Sequence, residues 1–430
     1  MRNRRQERGV LNTKCWTFLA ILLITFLLLQ MHFTSVKQKS PPPDNLNNPN
    51  DFFELQDAKR KSSHHLLDWK NWNIEAEQYV HSLSEIRIAD MKHPQVINSP
   101  DQRFAEECSF SRDYFSFCEN ISKLVKGEQL FTNIGMSVVG LDKIFKRKML
   151  RNLESLFEFS SVKYLHLIFV TDSGTLPGLR KVISHFLSRQ VALYVIQDRG
   201  WRWRRMKEFP VVKVSYADIN HIVGLNKPFS KSMKNVSKLA TSGKYSKDLF
   251  YIAPMYHGAF LKLDKLIYLD ASDIEFFDDV NLLVDQFSKM DQALIGVGLD
   301  KSPHYRKNLG DYLHFNPGSD LGLPGNKQGF NTGVVLFDLK RMRASRLYNQ
   351  MINPRKVEEI QEKYYYKFTL GDQDWFTNLG WLHPELFYVL PCRFNSQSSV
   401  QYLKPPWEET FELYHHCDDH SKIVIFHRNG

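Results

Sequence analysis

Four short stretches put chemistry-bearing residues where apolar runs begin or end. The first is Tyr268-Leu269-Asp270-Ala271-Ser272-Asp273, an apolar run that delivers two carboxylates separated by two small residues. Carboxylates this close repel, and each raises the other's pKa unless a cation sits between them. A divalent ion on oxygen ligands, completed by diphosphate oxygens, relieves that repulsion. A strand-end turn in which Asp270 and Asp273 cap the next helix accounts for the same hexapeptide equally well.

The second stretch is GFNTGVVLFDL, residues 329–339, with small residues around Asn331 just ahead of a strand. Gly329 and Gly333 permit close approach to the backbone, and Asn331 offers both a donor and an acceptor. A glycine-bearing turn entering a core strand is the competing explanation. The third stretch, LGDQDWF at residues 370–376, opens a helical run. Asp372 suits the N-cap, which puts Gln373 and Asp374 in the first turn beside the positive end of the helix dipole. Trp375 offers either a stacking surface or core packing, and Phe376 reads as core. Last, IVIFHRNG at 423–430 carries His427 to the end of a strand, where a ring nitrogen suits either metal binding or a structural hydrogen bond. The sequence holds no phosphate-loop, dinucleotide-fingerprint or nucleophile-elbow motif. Kinases, nicotinamide oxidoreductases and serine hydrolases therefore lack their usual signatures here.

The elements that must position these residues alternate in type from about residue 128. QLFTN (129–133) reads as a first buried strand. An amphipathic helix follows, with Leu141, Ile144, Phe145, Met149, Leu153 and Leu156 at helical spacing. VKYLHLIFV (162–170), ALYVI (192–196), KLIYLD (265–270), ALIGVG (293–298) and TGVVLFDL (332–339) read as further strands. Helices are expected through LRKVISHFL and over 246–262. Strands separated by helical lengths predict an α/β fold, a mostly parallel twisted sheet flanked by helices. Ligands in such sheets sit beyond the carboxyl ends of the strands, where the motif residues fall.

The start of the chain carries its own signals. Arg2, Arg4, Arg5, Arg8 and Lys14 precede an uncharged run from Cys15 to Phe33. About twenty apolar residues span a bilayer, and the basic flank should stay cytosolic. The expected organisation is a cytosolic tail over 1–14, a single transmembrane anchor over 15–33, a Pro- and Asn-rich stem over 34–100, and a luminal catalytic domain over 101–430. A cleaved signal peptide is the alternative, but Gln30, Met31, His32 and Phe33 leave no small-residue cleavage site. A luminal address suits the sequons at Asn120 and Asn235. It also suits Cys108, Cys118, Cys392 and Cys417, which allow three pairings; closeness in sequence favours Cys108–Cys118 and Cys392–Cys417, with free buried thiols as the other possibility. Net charge is +10 but spread along the chain, without any nucleic-acid-binding motif, so no nucleic-acid partner is expected.

Taken in order, the four motif stretches resemble glycosyltransferase family 8, retaining enzymes with the GT-A fold. That family shows Leu-Asp-x-Asp, then Phe-Asn-x-Gly, then Gly-Asp-Gln-Asp, then a late His. The likeness runs over roughly residues 128–430, drawing on GFNTGVVLFDLKRMRASRLYNQ, on LGDQDWFTNLGWLHPELFYVL with Cys392 soon after, and on the Cys417…His427 ending. Within the family it is greatest to enzymes that extend a xylose–glucose disaccharide O-linked to EGF-like repeats. The resemblance implies UDP-xylose as donor, manganese or magnesium as cofactor, and residence in the endoplasmic reticulum or Golgi membrane. It further implies that Asp270, Asp273 and His427 hold the metal and that Thr132 and Asn133 lie near the uridine. Asn331 and Gly333 would touch the donor sugar or the metal shell. Gln373 would sit below the anomeric carbon, Asp374 would bind sugar hydroxyls, and Trp375 and Trp381 would stack on the acceptor. The chain departs from the family in having two residues, not one, between Asp270 and Asp273, and Arg at position 428.

Overall fold

The computed structural model of the chain describes residues 104–107, 131–196, 210–237, 248–365, 368–398, 414, 417 and 421–428. The expected tail, anchor and stem, Asn120, Cys108 and Cys118 lie outside them. Among the described residues no helix is long and apolar enough to cross a membrane.

Eight strands form one sheet: β1 (Phe104–Glu107), β2 (Thr132–Val138), β3 (Tyr164–Thr171), β4 (Val211–Asp218), β5 (Lys265–Leu269), β7 (Ile295–Leu299), β8 (Phe330–Asp338) and β9 (Phe387–Val389). Their order is β1-β4-β3-β2-β5-β8-β7-β9. β4, β3, β2 and β5 run parallel, as do β7 and β9, while β8 lies antiparallel between β5 and β7. β1 is antiparallel to β4. The sheet is thus mostly parallel, as expected. A smaller sheet joins β10 (Ser396–Ser398), β11 (Ile425–Arg428) and β6 (Ile274–Phe276) in the order β10-β11-β6.

Both faces of the large sheet are covered, which is why its strands read as continuous apolar runs. On β3, Leu165, Leu167 and Phe169 pack with helices α1 (Lys143–Phe159) and α2 (Leu176–Ile196), whereas Ile168 and Val170 join the opposite core. That second core takes Phe229 and Met233 of α4 (Lys227–Asn235), which follows α3 (Ile219–Leu225), and Val357 and Ile360 of α5 (Pro354–Tyr364). It also takes Trp375, Phe376 and Leu379 of α6 (Asp372–Leu382). Val334 and Leu336 of β8 face one core, and Val335 and Phe337 the other, the period-two alternation of a strand.

Three expected elements change. The first strand covers 132–138, not 129–133, because the apolar run continues through Ile134, Met136 and Val138, all buried. ALYVI does not form a strand; α2 continues through Ile196, and the strand at this place in the order is VVKVSYAD, residues 211–218. The helix expected over 246–262 is broken into 3-10 turns at Asp248–Tyr251 and Ala253–Met255 and one α-turn at Tyr256–Ala259. Pro254 lacks the N–H that a continuous helix needs, so the segment restarts after it. Within α1, Met149, Leu153 and Leu156 are buried as the spacing requires, but Ile144 is exposed.

Candidate active site

The carboxyl end of β5 releases Asp270, and β8 builds the floor beside it. Between Val297 and Gly298 the β7–β8 register jumps from Val335 to Asn331, so residues 332–334 leave β7. They stay with β5 instead: Leu269 lies opposite Val334, and the Asp270 N–H donates to the Gly333 carbonyl at 2.9 Å. This irregularity carries Thr332 and Gly333 to the strand end, where a ligand would sit.

β11 pairs with β6 and sets His427 opposite Ile274. The His427 ring is buried, with Nε2 at 3.4 Å from Asp270 Oδ2 and Nδ1 at 3.0 Å from Asn395 Oδ1. Asn395 in turn donates through Nδ2 to the Asn331 carbonyl at 3.2 Å and to Asn331 Oδ1 at 3.0 Å. These donations orient the amide, so its Oδ1 accepts a hydrogen bond from the His427 Nδ1–H. With Nδ1 so occupied, Nε2 is the nitrogen left toward Asp270, the arrangement of a metal-ligating histidine with its outer partner. Asn331 Oδ1 also accepts the Gly333 N–H at 3.1 Å.

Asp273 goes elsewhere. Its carboxylate takes Lys148 Nζ at 2.8 Å, and only its carbonyl meets the His427 strand, accepting the Arg428 N–H at 2.8 Å. The structure brings Asp270 and His427 together and does not bring the Asp273 carboxylate to them. Among the described residues no three His, Cys, Asp or Glu side chains form a ready ligand set. Asp270 Oδ2 and His427 Nε2 fit a divalent cation whose remaining positions are filled by ligand oxygens.

The start of α6 forms the opposite wall. Gly371 precedes it at φ +68°, and a Cβ there would lie 2.2 Å from the Phe250 carbonyl, so only glycine fits. Asp372 is the first helical residue and not the N-cap. It is half-buried; desolvation holds its carboxyl well above the usual carboxylate range and Asp270 pushes it further, against relief from the backbone N–H of Ala253. A cation between Asp270 and Asp372 would relieve the repulsion that their carboxyls otherwise feel. Gln373 Oε1 accepts the Thr332 N–H at 3.2 Å and its hydroxyl at 3.4 Å, tying α6 to the irregular part of β8.

Several expected site residues have other work. Asp374 is fully buried, and its Oδ2 accepts the N–H groups of Thr369 and Leu370, each at 2.6 Å, which fixes the loop entering α6. Trp375 is core, edge-on to Phe229, and not an acceptor platform. Trp381 packs edge-on against Tyr305 and Tyr364 near the far end of α6, remote from the α6 start. Thr132 and Asn133 begin β2 instead of ending it. Asn133 donates to the Lys265 carbonyl at 3.0 Å and meets His166 at 2.9 Å, at the end of the sheet opposite Asp270. The cause is the register shift of the first strand, which gives its carboxyl end to Ser137 and Val138. Gly333 serves His427 directly, since a Cβ there would lie 2.0 Å from His427 Cε1. Asn235 is exposed at the last residue of α4. Cys392 and Cys417 are disulfide-bonded, with Cα atoms 5.6 Å apart.

Sequence reasoning missed Asn395, Asp372 as a site carboxylate, and Asp300. Asp300 ends β7 as Asp270 ends β5, so the same strand-then-aspartate signal was present. It is buried, its carboxyl held up to about 7 by burial, with relief from the Ser302 hydroxyl and N–H and a further push from Asp374. No pattern singles out Asn395.

Comparison with known proteins bears on this geometry. A family model described as glycosyl transferase family 8 matches residues 178–430. Xyloside xylosyltransferase 1 of Homo sapiens is 30% identical over 287 residues, covering 66% of this chain and 68% of that protein. Glucoside xylosyltransferase 1 of Danio rerio is 30% identical over 140 residues, covering 31% of this chain and 33% of that protein. The crystal structure of mouse xyloside xylosyltransferase 1 in its apo form has 26% identity and a TM-score of 0.57, and the match covers 70% of this chain and 98% of that one.

Proposed function

The chain belongs to glycosyltransferase family 8, and from that premise we propose that it moves xylose from UDP-xylose, with retention, onto a xylose–glucose disaccharide O-linked to an EGF-like repeat. The observation that carries this reading is the similarity to xyloside xylosyltransferases over two thirds of the chain, joined to the meeting of Asp270 and His427 at the strand ends. Asp270 and His427 would hold a manganese or magnesium ion, which when bound supplies positive charge against the leaving diphosphate. Asn395 keeps His427 in the ligating tautomer, and Gln373 holds the start of α6 against β8 so that its amide faces the sugar. The acceptor hydroxyl attacks the anomeric carbon from the face that the diphosphate leaves and passes its proton to the departing diphosphate oxygen, while fixed donors stabilise the separating charges. An anchor over 15–33, as the apolar run and its basic flank suggest, would put the catalytic domain in the lumen of the endoplasmic reticulum or Golgi.

The test is donor hydrolysis. Purified luminal protein with Mn²⁺ should release UDP from UDP-xylose, and a xylose–glucose acceptor should accelerate the release. Release from another UDP-sugar alone would reassign the donor. The engagement of Asp273 by Lys148 favours a second reading, a luminal nucleotide-sugar-binding protein without turnover. UDP binding with no release from any UDP-sugar would establish that one.

A further inference from the structure

α1 presents a polar stripe to the segment that bears the aspartates. Lys148, Asn152 and Ser155, four and three residues apart, lie on one side of the helix. Lys148 Nζ meets Asp273 Oδ1 at 2.8 Å. Asn152 Nδ2 donates to the carbonyls of Asp270 at 3.0 Å and Ala271 at 3.2 Å. Ser155 Oγ donates to the Asn152 carbonyl at 2.8 Å and accepts the Phe276 N–H at 3.0 Å. Both ends of the segment and its middle are therefore held from the helix side. The main chain of Asp273 is held from the other side by Arg428. Its backbone faces the His427 strand while its carboxylate faces α1, and the second small residue between the aspartates is what lengthens the turn.

We propose that Lys148 withholds Asp273 from the cation, so that metal affinity rests on Asp270 and His427 and is set below what three protein ligands would give. The inference depends on the reading that this site takes a divalent cation. A carboxylate that already accepts an ammonium proton must break that pair before it can ligate, and the ammonium then lies beside a second cation. Lys148 is about half exposed and Asp273 mostly covered, so the lysine side chain can be exchanged without opening the core.

The test measures Mn²⁺ binding alone, by electron paramagnetic resonance titration of the full chain. D270N should weaken binding at least about tenfold, as loss of a ligand or its support does. D273N should leave affinity within about twofold. K148M should tighten binding about threefold, the scale on which a partly exposed ion pair acts. In the D273N background K148M should change nothing, because the gain comes from a freed carboxylate. Thermal melting controls for folding, and K148R should restore wild-type affinity by keeping the pair. D273N as damaging as D270N, or a K148M gain that survives in the D273N background, would overturn the inference alone. A wild-type chain that binds no Mn²⁺ would overturn it together with the metal reading.

Discussion

The His427 imidazole lies against the Cα of Gly333, where a methyl group would come within 2.0 Å of Cε1 and 2.4 Å of Nδ1. The glycine of the Phe-Asn-x-Gly stretch thus makes room for the histidine of the C-terminal strand. Gly333→Ala must push the ring off its position or strain β8, at a cost of about 1–3 kcal/mol. Mn²⁺ affinity should fall at least about tenfold, since Nε2 leaves its line to Asp270. Manganese titration with a melting curve checks this, and unchanged affinity in the folded variant would remove His427 from the metal site.

Asn395 transmits the same constraint. It is 1% exposed, accepts from His427 Nδ1 and donates twice to Asn331. Asn395→Ala leaves the ring free to adopt the other tautomer or to rotate. Outer partners of metal-bound histidines are worth about 10–100-fold in affinity or activity. Asn395→Ala should lose that much in Mn²⁺ affinity; an affinity equal to wild type would reduce Asn395 to a packing role.

The site was legible in the sequence to the extent that each residue ended an apolar run. Asp270 and His427 carried that signal, and the sheet brings them together. Asp374 turns inward and Trp375 takes the core position of its two readings, because one turn of helix α6 turns residues both outward and inward, and single-sequence spacing does not say which face the core takes. Thr132 and Asn133 failed through one boundary: moving a strand's end by five residues moves its last residues to the other edge of the sheet. ALYVI failed because a short apolar run fits helix and strand alike, and the helix preceding it continued through it. Asn395 depends on three segments meeting, which no local pattern encodes.

Acid should destabilise the fold through its buried histidines. His166 sits between Asn133 and Ser215 and is pushed down to about 3 by burial and then by Lys213; His304 is pushed down to about 4 by burial and then by Lys307. A histidine with a lowered folded pKa binds fewer protons folded than unfolded. The associated stability is therefore full above the unfolded value near 6.5 and is lost as pH falls from there toward about 3 to 4. Asp300 has the opposite sign: with its carboxyl raised to about 7, it costs stability above that value and relieves the cost as pH falls toward 4. For His166 alone the loss should reach about 1.4 kcal/mol one pH unit below 6.5. His166→Gln should flatten the melting temperature's dependence on pH between about 6.5 and 5. An equally steep acid limb in that variant would rule His166 out as a contributor.

The Cys392–Cys417 bond closes a stretch with a sequence separation of 25, and the strand bearing His427 begins at Ile425, further along the chain. A cross-link of that loop length is worth about 2–4 kcal/mol. The double variant Cys392→Ser with Cys417→Ser should unfold at correspondingly lower denaturant and bind Mn²⁺ more weakly. Equal denaturation midpoints for wild type with and without reductant would show that the bond contributes nothing.

Gln373 separates a chemical role from a structural one. Its Oε1 accepts the Thr332 N–H and hydroxyl, and its amide nitrogen is the donor that the proposed mechanism would use. Gln373→Glu keeps the accepting oxygen and the contact with Thr332 but replaces the amide donor with a second carboxylate oxygen near Asp270 and Asp372. If the amide stabilises charge as the sugar–diphosphate bond opens, turnover should fall by about 10²–10³, the cost of removing one such donor. The melting temperature should stay close to wild type, because β8 and α6 remain tied. Gln373→Ala loses both ends and should lower stability and turnover together. Steady-state UDP release from UDP-xylose, read with the melting curves, distinguishes the two variants. A Gln373→Glu protein with full turnover would show that the amide donor is dispensable and that Gln373 acts only as the strap between α6 and β8.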